Sequence, residues 1–345
     1  MTASPRFLNP SEAARQLGVS AKALRVYEQR GLVTPARNMA GWRSYGPDDM
    51  ARGAEIVALR ALGLSLAQVG RVLGGAADAA ALAPALAAHE AMLESRMRQL
   101  AGTLDKVRRL GSDLRRGRMP TPGELMRLLG AASEVHVEFE LPWPWGGEPF
   151  TLRDVRPLNY IVGPLGSGKT RLALRLAEEL PGAVFLGLHR LEDGRAATQL
   201  AADPALRMRV DQAVAWLVED GATVSAALTA LLVGLEAGSP AVFVVDMVEQ
   251  GLDQATQQAV VAWLRRRRSD GRPLFLLTRS SAILDLAAVG ADESILFCPA
   301  NHSPPTRVTP YPGAPGYEAV ATCLASPEVR ARTQGVIAWR PTLAA

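Results

Sequence analysis

Eight consecutive residues, Gly163–Thr170, constrain the fold of this chain more than any other segment, because they read G-P-L-G-S-G-K-T. They fill every fixed position of the phosphate-binding loop pattern G-x-x-x-x-G-K-[ST]. The apolar run Leu158–Val162 precedes the loop and predicts a buried strand, and the stretch that begins at Arg171 predicts a helix. A strand, a glycine-rich loop and a helix in this order predict an α/β domain with a site for nucleotide phosphates.

Each fixed residue of the loop has a predicted task. Glycines let backbone N–H groups turn toward phosphate, Lys169 reaches the terminal phosphates, and the Thr170 hydroxyl binds Mg²⁺. The chain has only three lysines, so composition alone is a poor explanation for a lysine here. A glycine-rich turn that binds nothing is the alternative. The predicted nucleotide ligands in the loop are Gly163, Gly166, Ser167, Gly168, Lys169 and Thr170.

Length and composition limit the possible classes of protein. The 345 residues suggest about two domains, and 48% hydrophobic residues are enough for packed cores. No run of about 18 uninterrupted apolar residues is present, and the N-terminus has no signal-peptide pattern, so no membrane span is expected. Cys298 and Cys323 lack metal-ligand spacing, and His302 does not complete a set with them. These features predict a cytoplasmic protein.

Charge is divided unevenly along the chain. Residues 1–130 carry 19 Lys and Arg against 11 Asp and Glu, a net charge of +8, whereas residues 131–345 carry 19 against 23, a net charge of −4. The basic front half therefore predicts contact with a polyanion, and the acidic back half does not.

Signals for two short helices near the N-terminus predict a helix-turn-helix. Asn9–Glu12 reads as the capped start of the first helix, and Ser20–Arg30 reads as a second helix that Ser20 caps. Small strands within Leu32–Pro35 and Gly41–Tyr45 predict a wing around a turn at residues 38–40. Two further helices are predicted to begin at Pro47 and near Ser65.

Over roughly residues 7–75 this pattern resembles the MerR family of transcriptional regulators. Three segments in the family's order carry the resemblance, namely Ala23–Leu32 (ALRVYEQRGL), Gly41–Tyr45 (GWRSY) and Leu62–Leu66 (LGLSL). The resemblance implies that the second helix enters the major groove of double-stranded promoter DNA while the wing grips phosphate or the minor groove. The family acts by distorting a promoter, which implies an indirect effect on RNA polymerase.

The resemblance assigns DNA contacts to residues of the first two helices and the wing. The family usually has a tyrosine pair where this chain has Val26-Tyr27. A solvated basic face is the alternative role for the basic residues among them. The assigned residues are Arg15, Ser20, Lys22, Arg25, Tyr27, Arg37 and Arg43.

A long helix over residues 76–117 carries an apolar seam that predicts dimerisation. A seam on one long helix needs a partner, and the MerR resemblance implies an antiparallel coiled coil in a homodimer. Packing on the chain's own domain is the alternative. Residues 118–133 read as the helix end and a linker. The seam consists of Leu86, Leu93, Met97, Leu100, Leu104, Val107 and Leu114.

Several segments around the phosphate loop predict more of its domain. Val135–Leu141 alternates as a strand does, and Ala241–Asp246 reads as an apolar strand that ends in an acid suited to hold Mg²⁺ through water. Trp143 and Trp145 look exposed; either could stack on adenine, although covering a sheet edge is the commoner role. The proline-rich stretch Cys298–Gly316 reads as irregular surface chain.

Together these segments resemble ABC-type ATPases over about residues 134–300. Gly251-Leu252-Asp253 resembles the D-loop, Ser225 remains of the signature motif, and Arg279 stands at the switch-histidine position. The resemblance implies ATP and Mg²⁺ as ligands, with Ser225 added to the nucleotide contacts and Thr170 and Asp246 as metal ligands.

The departures from ABC-type ATPases concern hydrolysis. Met247 stands where the family has the glutamate that polarises the attacking water, and a thioether cannot act as a base at neutral pH. Glu249 comes two positions later and would point elsewhere if the strand continued. Gln199 is a poor match for the Q-loop glutamine. These departures predict ATP binding with slow or absent hydrolysis.

The predicted architecture is multidomain. An all-α winged helix-turn-helix domain (1–75) and a long coiled-coil helix (76–117) precede a linker (118–133), an α/β P-loop NTPase domain (134–300) and an irregular extension (301–345). The predicted function is a MerR-type DNA-binding regulator that uses ATP as a switch. The alternatives are an active ATPase directed to DNA by its N-terminal module, and a pseudo-ATPase that serves as a protein-interaction domain.

Overall fold

The computed structural model describes residues 7–37, 41–75, 79–119, 137–192, 194–238, 240–267 and 272–325. In this part of the chain an N-terminal helix-turn-helix domain is followed by a separate C-terminal α/β domain. Most of the predicted linker, 118–133, falls outside the described residues. Within the described residues, no helix combines the length and apolar character that crossing a membrane requires.

The N-terminal domain is built from short, capped helices. Asn9 accepts the Glu12 N–H at 2.9 Å and Glu12 accepts the Asn9 N–H at 3.1 Å, which satisfies amide groups that a helix start leaves without partners. Ser20 and Ser65 accept backbone N–H groups in the same way. The predicted starts of these helices are therefore confirmed. The helices are α1 (Pro10–Leu17), α2 (Ala21–Gln29), α3 (Pro47–Ala61) and α4 (Leu66–Leu73).

The wing differs from the prediction in the position of its first strand. Strand β1 (Ala36–Arg37) pairs antiparallel with β2 (Arg43–Ser44), so the prediction of a strand over Leu32–Pro35 was wrong. Pro35 has no N–H to donate to a ladder, and Val33 is buried in the domain core. The chain therefore begins to pair only beyond the proline.

The long helix α5 (Ala79–Arg115) begins in an alanine-rich sequence, AAALA. At 1.5 Å per residue it is about 55 Å long. The seven apolar residues of the predicted seam are all 45–69% exposed in the single chain. Within the part of the chain that the structure describes, the seam is thus an exposed apolar stripe on one helix, as the sequence predicts for a dimerisation surface.

The C-terminal domain contains a mainly parallel sheet in the order β10-β9-β5-β8-β7-β6. A separate antiparallel hairpin joins β3 to β4. The strands predicted over Leu158–Val162 and within Ala241–Asp246 are confirmed. The strands are β3 (Val137–Glu140), β4 (Pro149–Leu152), β5 (Leu158–Val162), β6 (Ala183–Leu186), β7 (Val242–Val245), β8 (Leu274–Leu277), β9 (Glu293–Phe297) and β10 (Thr306–Val308).

Helices and the hairpin cover the two faces of the sheet. One apolar cluster joins the sheet to α8, α9 and α10, and a second joins it to α6 and the hairpin. Every residue of β5, β7 and β8 is buried, as expected for parallel strands that are covered on both faces. The helices are α6 (Lys169–Glu179), α7 (Arg195–Ala202), α8 (Pro204–Glu219), α9 (Ala226–Glu236), α10 (Gln254–Arg266) and α11 (Tyr317–Cys323).

The prediction of irregular chain at the C-terminal end was wrong in part, because a strand and a helix form there. Residues Thr306–Val308 form β10, which pairs antiparallel with β9 and extends the main sheet, and α11 follows. Surrounding prolines suggested loop, but Val308 is buried and the strand lies at the sheet edge, where proline flanks are tolerated.

Candidate functional site

The phosphate loop follows β5 directly, and its glycines are required by the space around them. A Cβ on Gly163 would collide with the Cys298 carbonyl oxygen and lie 2.7 Å from Ser167 Oγ. Gly168 has φ +88°, and a Cβ there would lie 2.6 Å from the Trp145 ring. Gly166 also has a left-handed backbone, with φ +80°. The loop is therefore a shaped turn and not a flexible glycine stretch.

Lys169 is the first residue of α6, and its side chain folds back over the loop. Its Nζ donates to the Gly163 carbonyl oxygen at 2.8 Å and to the Pro164 carbonyl oxygen at 2.7 Å. Burial lowers the pKa of Lys169, and the nearby Arg279 charge lowers it further. A desolvated ammonium held by neutral carbonyls is poised to exchange those partners for anionic oxygens.

Thr170 and Asp246 come together at the carboxyl end of the sheet. The Thr170 hydroxyl donates to Asp246 Oδ2 at 3.2 Å. Burial raises the pKa of Asp246, while the Thr170 hydrogen bond and the Arg190 charge lower it. A hydroxyl beside a carboxylate is a donor set that suits a hard divalent cation such as Mg²⁺.

Arg190 holds the turn that follows β7, a role that no sequence pattern predicted. The side chain is buried, and its guanidinium donates to the Asp246 and Met247 carbonyl oxygens at 2.8 Å each. Met247 has φ +46°, a conformation that a residue with a side chain rarely adopts. Arg190 therefore fixes a strained backbone directly behind the Asp246 carboxylate.

This turn carries Glu249 back toward β8. Strand β7 ends at Val245. The chain therefore does not continue in the direction that would point Glu249 away from the site. Glu249 is 2% exposed and accepts the Arg279 N–H at 3.0 Å. Because β8 lies between β5 and β7, Arg279 at its carboxyl end stands between the phosphate loop and Asp246.

The segment between β9 and β10 supplies further neighbours that the sequence did not identify. His302 Nε2 lies 3.1 Å from the Gly166 carbonyl oxygen, so that nitrogen carries the proton in this contact. Trp145 Nε1 donates to the Ser303 carbonyl oxygen at 3.1 Å. Trp145 is only 4% exposed, contrary to prediction, whereas Trp143 is 72% exposed beside Arg171. Burial raises the pKa of Cys298 to about 12.

Two other residues singled out from the sequence lie elsewhere. Ser225 is the N-cap of α9 and accepts the Leu228 N–H at 3.1 Å. Gln199, the candidate for the Q-loop glutamine, is exposed on α7. A different residue, the buried Arg190, lies near Asp246. The structure therefore does not bring Gln199 to the phosphate loop.

The residues of the helix-turn-helix that were predicted to contact DNA divide into exposed basic residues and buried residues that are not basic. Arg15, Lys22 and Arg25 are exposed. Ser20 is buried as the cap of α2, and Tyr27 is 7% exposed within the domain core. Tyr27 lies on the inner face of α2 with Leu24, so in this conformation it faces protein and not solvent.

The wing presents two arginines. Arg37 is exposed and donates to the Gly41 carbonyl oxygen at 2.9 Å. Arg43 is half-exposed and forms an ion pair with Glu28 of α2 at 2.5 Å. The hydroxyl of Tyr45 also donates to Glu28. The pKa of Tyr45 is raised, mainly by burial and to a smaller extent by this hydrogen bond. Glu28 thus joins the wing to α2.

Comparison with known proteins shows what the N-terminal domain is similar to. Residues 8–75 match the family model described as MerR HTH family regulatory protein. A "Probable heavy metal-dependent transcriptional regulator" of Haemophilus influenzae is 43% identical over 67 residues, 19% of this chain and 52% of that protein. The HTH-type transcriptional regulator HmrR of Sinorhizobium medicae is 40% identical over 67 residues, 19% and 46% of the two chains. The chain spans about half the length of these curated relatives.

Solved structures give only distant likenesses. HiNmlR, a MerR family regulator lacking the sensor domain and bound to promoter DNA, has TM-score 0.26 and 21% identity, covering 31% of this chain and 90% of that one. A metal-chelate type ABC transporter has TM-score 0.36 and 13% identity, covering 51% and 82%. The SMC head domain from Thermotoga maritima has TM-score 0.34 and 12% identity, covering 47% and 93%.

Proposed function

We propose that this chain, whose N-terminal domain is of the MerR type, is a homodimeric DNA-binding transcriptional regulator that binds ATP as an effector and hydrolyses it little. One observation carries the proposal. The same chain holds a helix-turn-helix domain and, at the carboxyl end of a parallel sheet, a phosphate loop with Lys169 folded over it and Thr170 beside Asp246. Regulators that respond to an effector combine a DNA-binding domain with a ligand-binding domain, and this chain has the same combination.

The residues of the C-terminal site fit ATP with Mg²⁺. Amide groups of the loop and the start of α6 attract phosphate, and Lys169 would hold the terminal phosphate oxygens. Thr170 and Asp246 would hold Mg²⁺, which neutralises phosphate charge when it is bound. The exposed ring of Trp143, beside Arg171, offers a flat surface for adenine.

Two features support binding without rapid hydrolysis. Met247 follows Asp246, and its thioether has no basic lone pair to accept a proton from water at neutral pH. Glu249 is nearly inaccessible to solvent, and one of its carboxylate oxygens already accepts the Arg279 N–H. Neither Met247 nor Glu249 therefore presents a base for the attacking water at the surface of the site.

The N-terminal half supplies the proposed DNA and dimer contacts. Arg25 and Lys22 project from α2, and Arg43 projects from the wing, where they would meet base edges and phosphates of promoter DNA. The exposed seam of α5 would pair with the same seam of a second copy. RNA polymerase would respond indirectly, through the shape of the bound promoter.

The test is an ATP titration with Mg²⁺ by calorimetry, together with a phosphate-release assay on the same sample. Heat of binding with negligible phosphate release is the expected result. No heat at all would replace the proposal by a pseudo-ATPase that serves as a protein-interaction domain. Steady phosphate release would replace it by an enzyme that its N-terminal module brings to DNA.

A second candidate, the active ATPase, is favoured by the return of Glu249. The left-handed Met247 places this carboxylate close enough to Asp246 to raise the pKa of Asp246, although burial has the largest effect. If phosphate is released steadily, Glu249→Gln is expected to reduce the rate while calorimetry still detects ATP. An unaltered rate in Glu249→Gln would exclude Glu249 as the base of that candidate.

A further inference from the structure

A buried ion pair joins the two domains of this chain. Asp220, at the end of α8, has a side chain that is 4% exposed and lies 2.5 Å from an Arg60 nitrogen of α3. The same carboxylate accepts the Leu66 N–H of α4 at 2.9 Å. One acid of the C-terminal domain therefore satisfies both a charge and a helix-start amide of the helix-turn-helix domain.

Neighbouring groups of α8 extend this contact. Trp216 Nε1 donates to the Gly63 carbonyl oxygen at 3.3 Å, and the Trp216 ring lies 5.6 Å from the Arg60 guanidinium. The Ser65 hydroxyl donates to Glu219 at 2.8 Å. Ser65 is also the cap of α4, so the same loop between α3 and α4 is held by hydrogen bonds, an ion pair and a cation–π contact.

Helix α2 itself also touches the C-terminal domain, near both of its ends. Lys22, in the first turn, donates its ammonium to the Ser281 carbonyl oxygen at 2.9 Å. Beyond the last turn, the Arg30 guanidinium lies against Gly221. The first turn of a recognition helix is the part that reaches base edges in helix-turn-helix proteins.

The Ser281 carbonyl belongs to the segment that follows β8 and faces the phosphate loop. Arg279, two residues earlier, lines a cavity of about 400 Å³ with Pro164 and Leu165 of that loop. The backbone of this segment is held by a pair of hydrogen bonds to one residue, Ala325. Ala325 N–H donates to the Arg279 carbonyl oxygen and Ser281 N–H donates to the Ala325 carbonyl oxygen, both at 2.9 Å.

From these contacts we infer that the surface formed by Trp216, Glu219, Asp220 and Ser281 is a docking site for the chain's own helix-turn-helix domain, and that double-stranded DNA must displace it. The structure then shows the closed state, in which the helix-turn-helix domain is docked on the C-terminal domain. In this state the Lys22 ammonium is bound to the Ser281 carbonyl oxygen and not to DNA. The inference rests on the proposed function for the role of α2 in reading DNA.

The competition follows from the space that DNA needs. A recognition helix lies in a major groove about 12 Å wide, with phosphate backbones on both sides of it. A protein carbonyl within hydrogen-bonding distance of Lys22 occupies part of that space. The contact at Ser281 also gives the phosphate loop a short route to α2, because movement of Arg279 on nucleotide binding would shift the acceptor of Lys22.

The first experiment compares Asp220→Asn with Asp211→Asn. Both changes remove one negative charge from α8, but Asp211 is exposed and Asp220 is at the contact. The probe is a fluorescein-labelled mixed-sequence duplex of about 30 base pairs, roughly three helical turns, followed by anisotropy at low salt. Asp220→Asn is expected to bind the duplex at least about tenfold more tightly than wild type, because the closed state is weakened. Equal affinity for the two variants would overturn the inference.

A second measurement uses the unmodified protein, so it does not depend on how a variant folds. Hydrogen exchange at the Leu66 amide reports the contact, since this amide donates to Asp220 only while the domains are docked. Saturation with the duplex is expected to speed exchange at Leu66. Exchange that stays as slow with DNA as without it would show that both bind together, and would contradict the inference.

Addition of ATP and Mg²⁺ to the same assay separates this inference from the proposed effector role. Nucleotide is expected to strengthen duplex binding by wild type and to have little effect on Asp220→Asn, which is already open. A nucleotide effect of equal size in both proteins would contradict transmission through the docking site. A tighter Asp220→Asn with no nucleotide effect on wild type would uphold the docking site and reject ATP as the effector.

Discussion

The Thr170 hydroxyl donates to the Asp246 carboxylate at 3.2 Å, although 76 residues separate the two in the chain. The contact spans β8, which lies between the strands that carry them. It joins the end of the phosphate loop to the acid that follows β7 directly, and it places hydroxyl and carboxylate oxygens where a phosphate-bound cation would need them.

Lys169→Ala is expected to weaken ATP binding about 100-fold, or ~2.7 kcal/mol, because it removes the part-buried ammonium that would face the phosphates. Calorimetry with Mg²⁺ measures the effect. Lys106→Ala is the matched control, since Lys106 is exposed on α5. Duplex binding without nucleotide is expected to be the same in all three proteins. Loss of duplex binding by a folded, dimeric Lys169→Ala would contradict the division into two modules.

Asp246→Asn is expected to stabilise the ligand-free protein at neutral pH while abolishing its Mg²⁺-dependent ATP binding. Burial raises the pKa of Asp246 above its unfolded value of 3.8, so the folded state holds the proton more tightly. The free energy of unfolding therefore falls as pH rises through the interval between the two pKa values, and this loss persists at higher pH. Thermal melts of both proteins between acid and neutral pH provide the check. A melting temperature of Asp246→Asn that falls below wild type at neutral pH would reject this account.

Arg43→Ala is expected to weaken duplex binding and to reduce the dependence of log affinity on log salt by about one unit, as for the loss of one phosphate contact. Anisotropy titrations over a salt series measure the slope. Arg98→Ala, on the exposed surface of α5, is the control and is expected to keep the wild-type slope. If Arg43→Ala also has the wild-type slope, the Arg43 side chain forms its ion pair with Glu28 and does not contact phosphate.

Gly168→Ala is expected to destabilise the C-terminal domain by about 1–3 kcal/mol, because a Cβ would meet the Trp145 ring in a left-handed backbone. Gly166→Ala is the paired comparison. Its φ is similar, but nothing lies within 4 Å of the added carbon. The difference between the two variants in urea unfolding isolates the clash from the backbone strain. Equal losses would mean that the ring moves aside without cost.

Leu100→Asp is expected to convert the proposed homodimer to a monomer, because Leu100 is 69% exposed at the middle of the apolar seam of α5. A charge placed in a coiled-coil core position is left without water or a partner. Sedimentation velocity gives the oligomeric state. Lys106→Asp is the control on the same helix. Monomeric wild-type protein would exclude the seam as a dimer contact.

Local signals in the sequence were sufficient for the framework of both domains. Asn9, Ser20 and Ser65 act as helix caps where their spacing to the next polar residue predicted them. The phosphate loop and the strand before it were also predictable, because a glycine-rich loop between a buried strand and a helix is a local pattern. Asp246 was found for the same reason, as the acid at the end of an apolar strand.

Residues that depend on tertiary placement could not be found this way. Arg190 binds backbone carbonyls 56 and 57 positions later, and carbonyls leave no mark in a sequence. Glu249 returns to β8 only because Met247 adopts a positive φ, which nothing in the residue type indicates. The contact between Lys22 and Ser281 joins positions 259 apart, and each residue alone resembles ordinary surface.

The phosphate loop borders on chain from both sides of its own motif, with the Trp145 ring against Gly168 and His302 against the Gly166 carbonyl. Dissection of the domain at its motif boundaries would therefore mislead. A fragment that began at β5 and stopped after β9 would retain the loop, Asp246 and Arg279. It would lack Trp145 and His302, which border the loop on its two sides. A failure of that fragment to bind nucleotide would therefore result from the truncation and would say nothing about the intact protein.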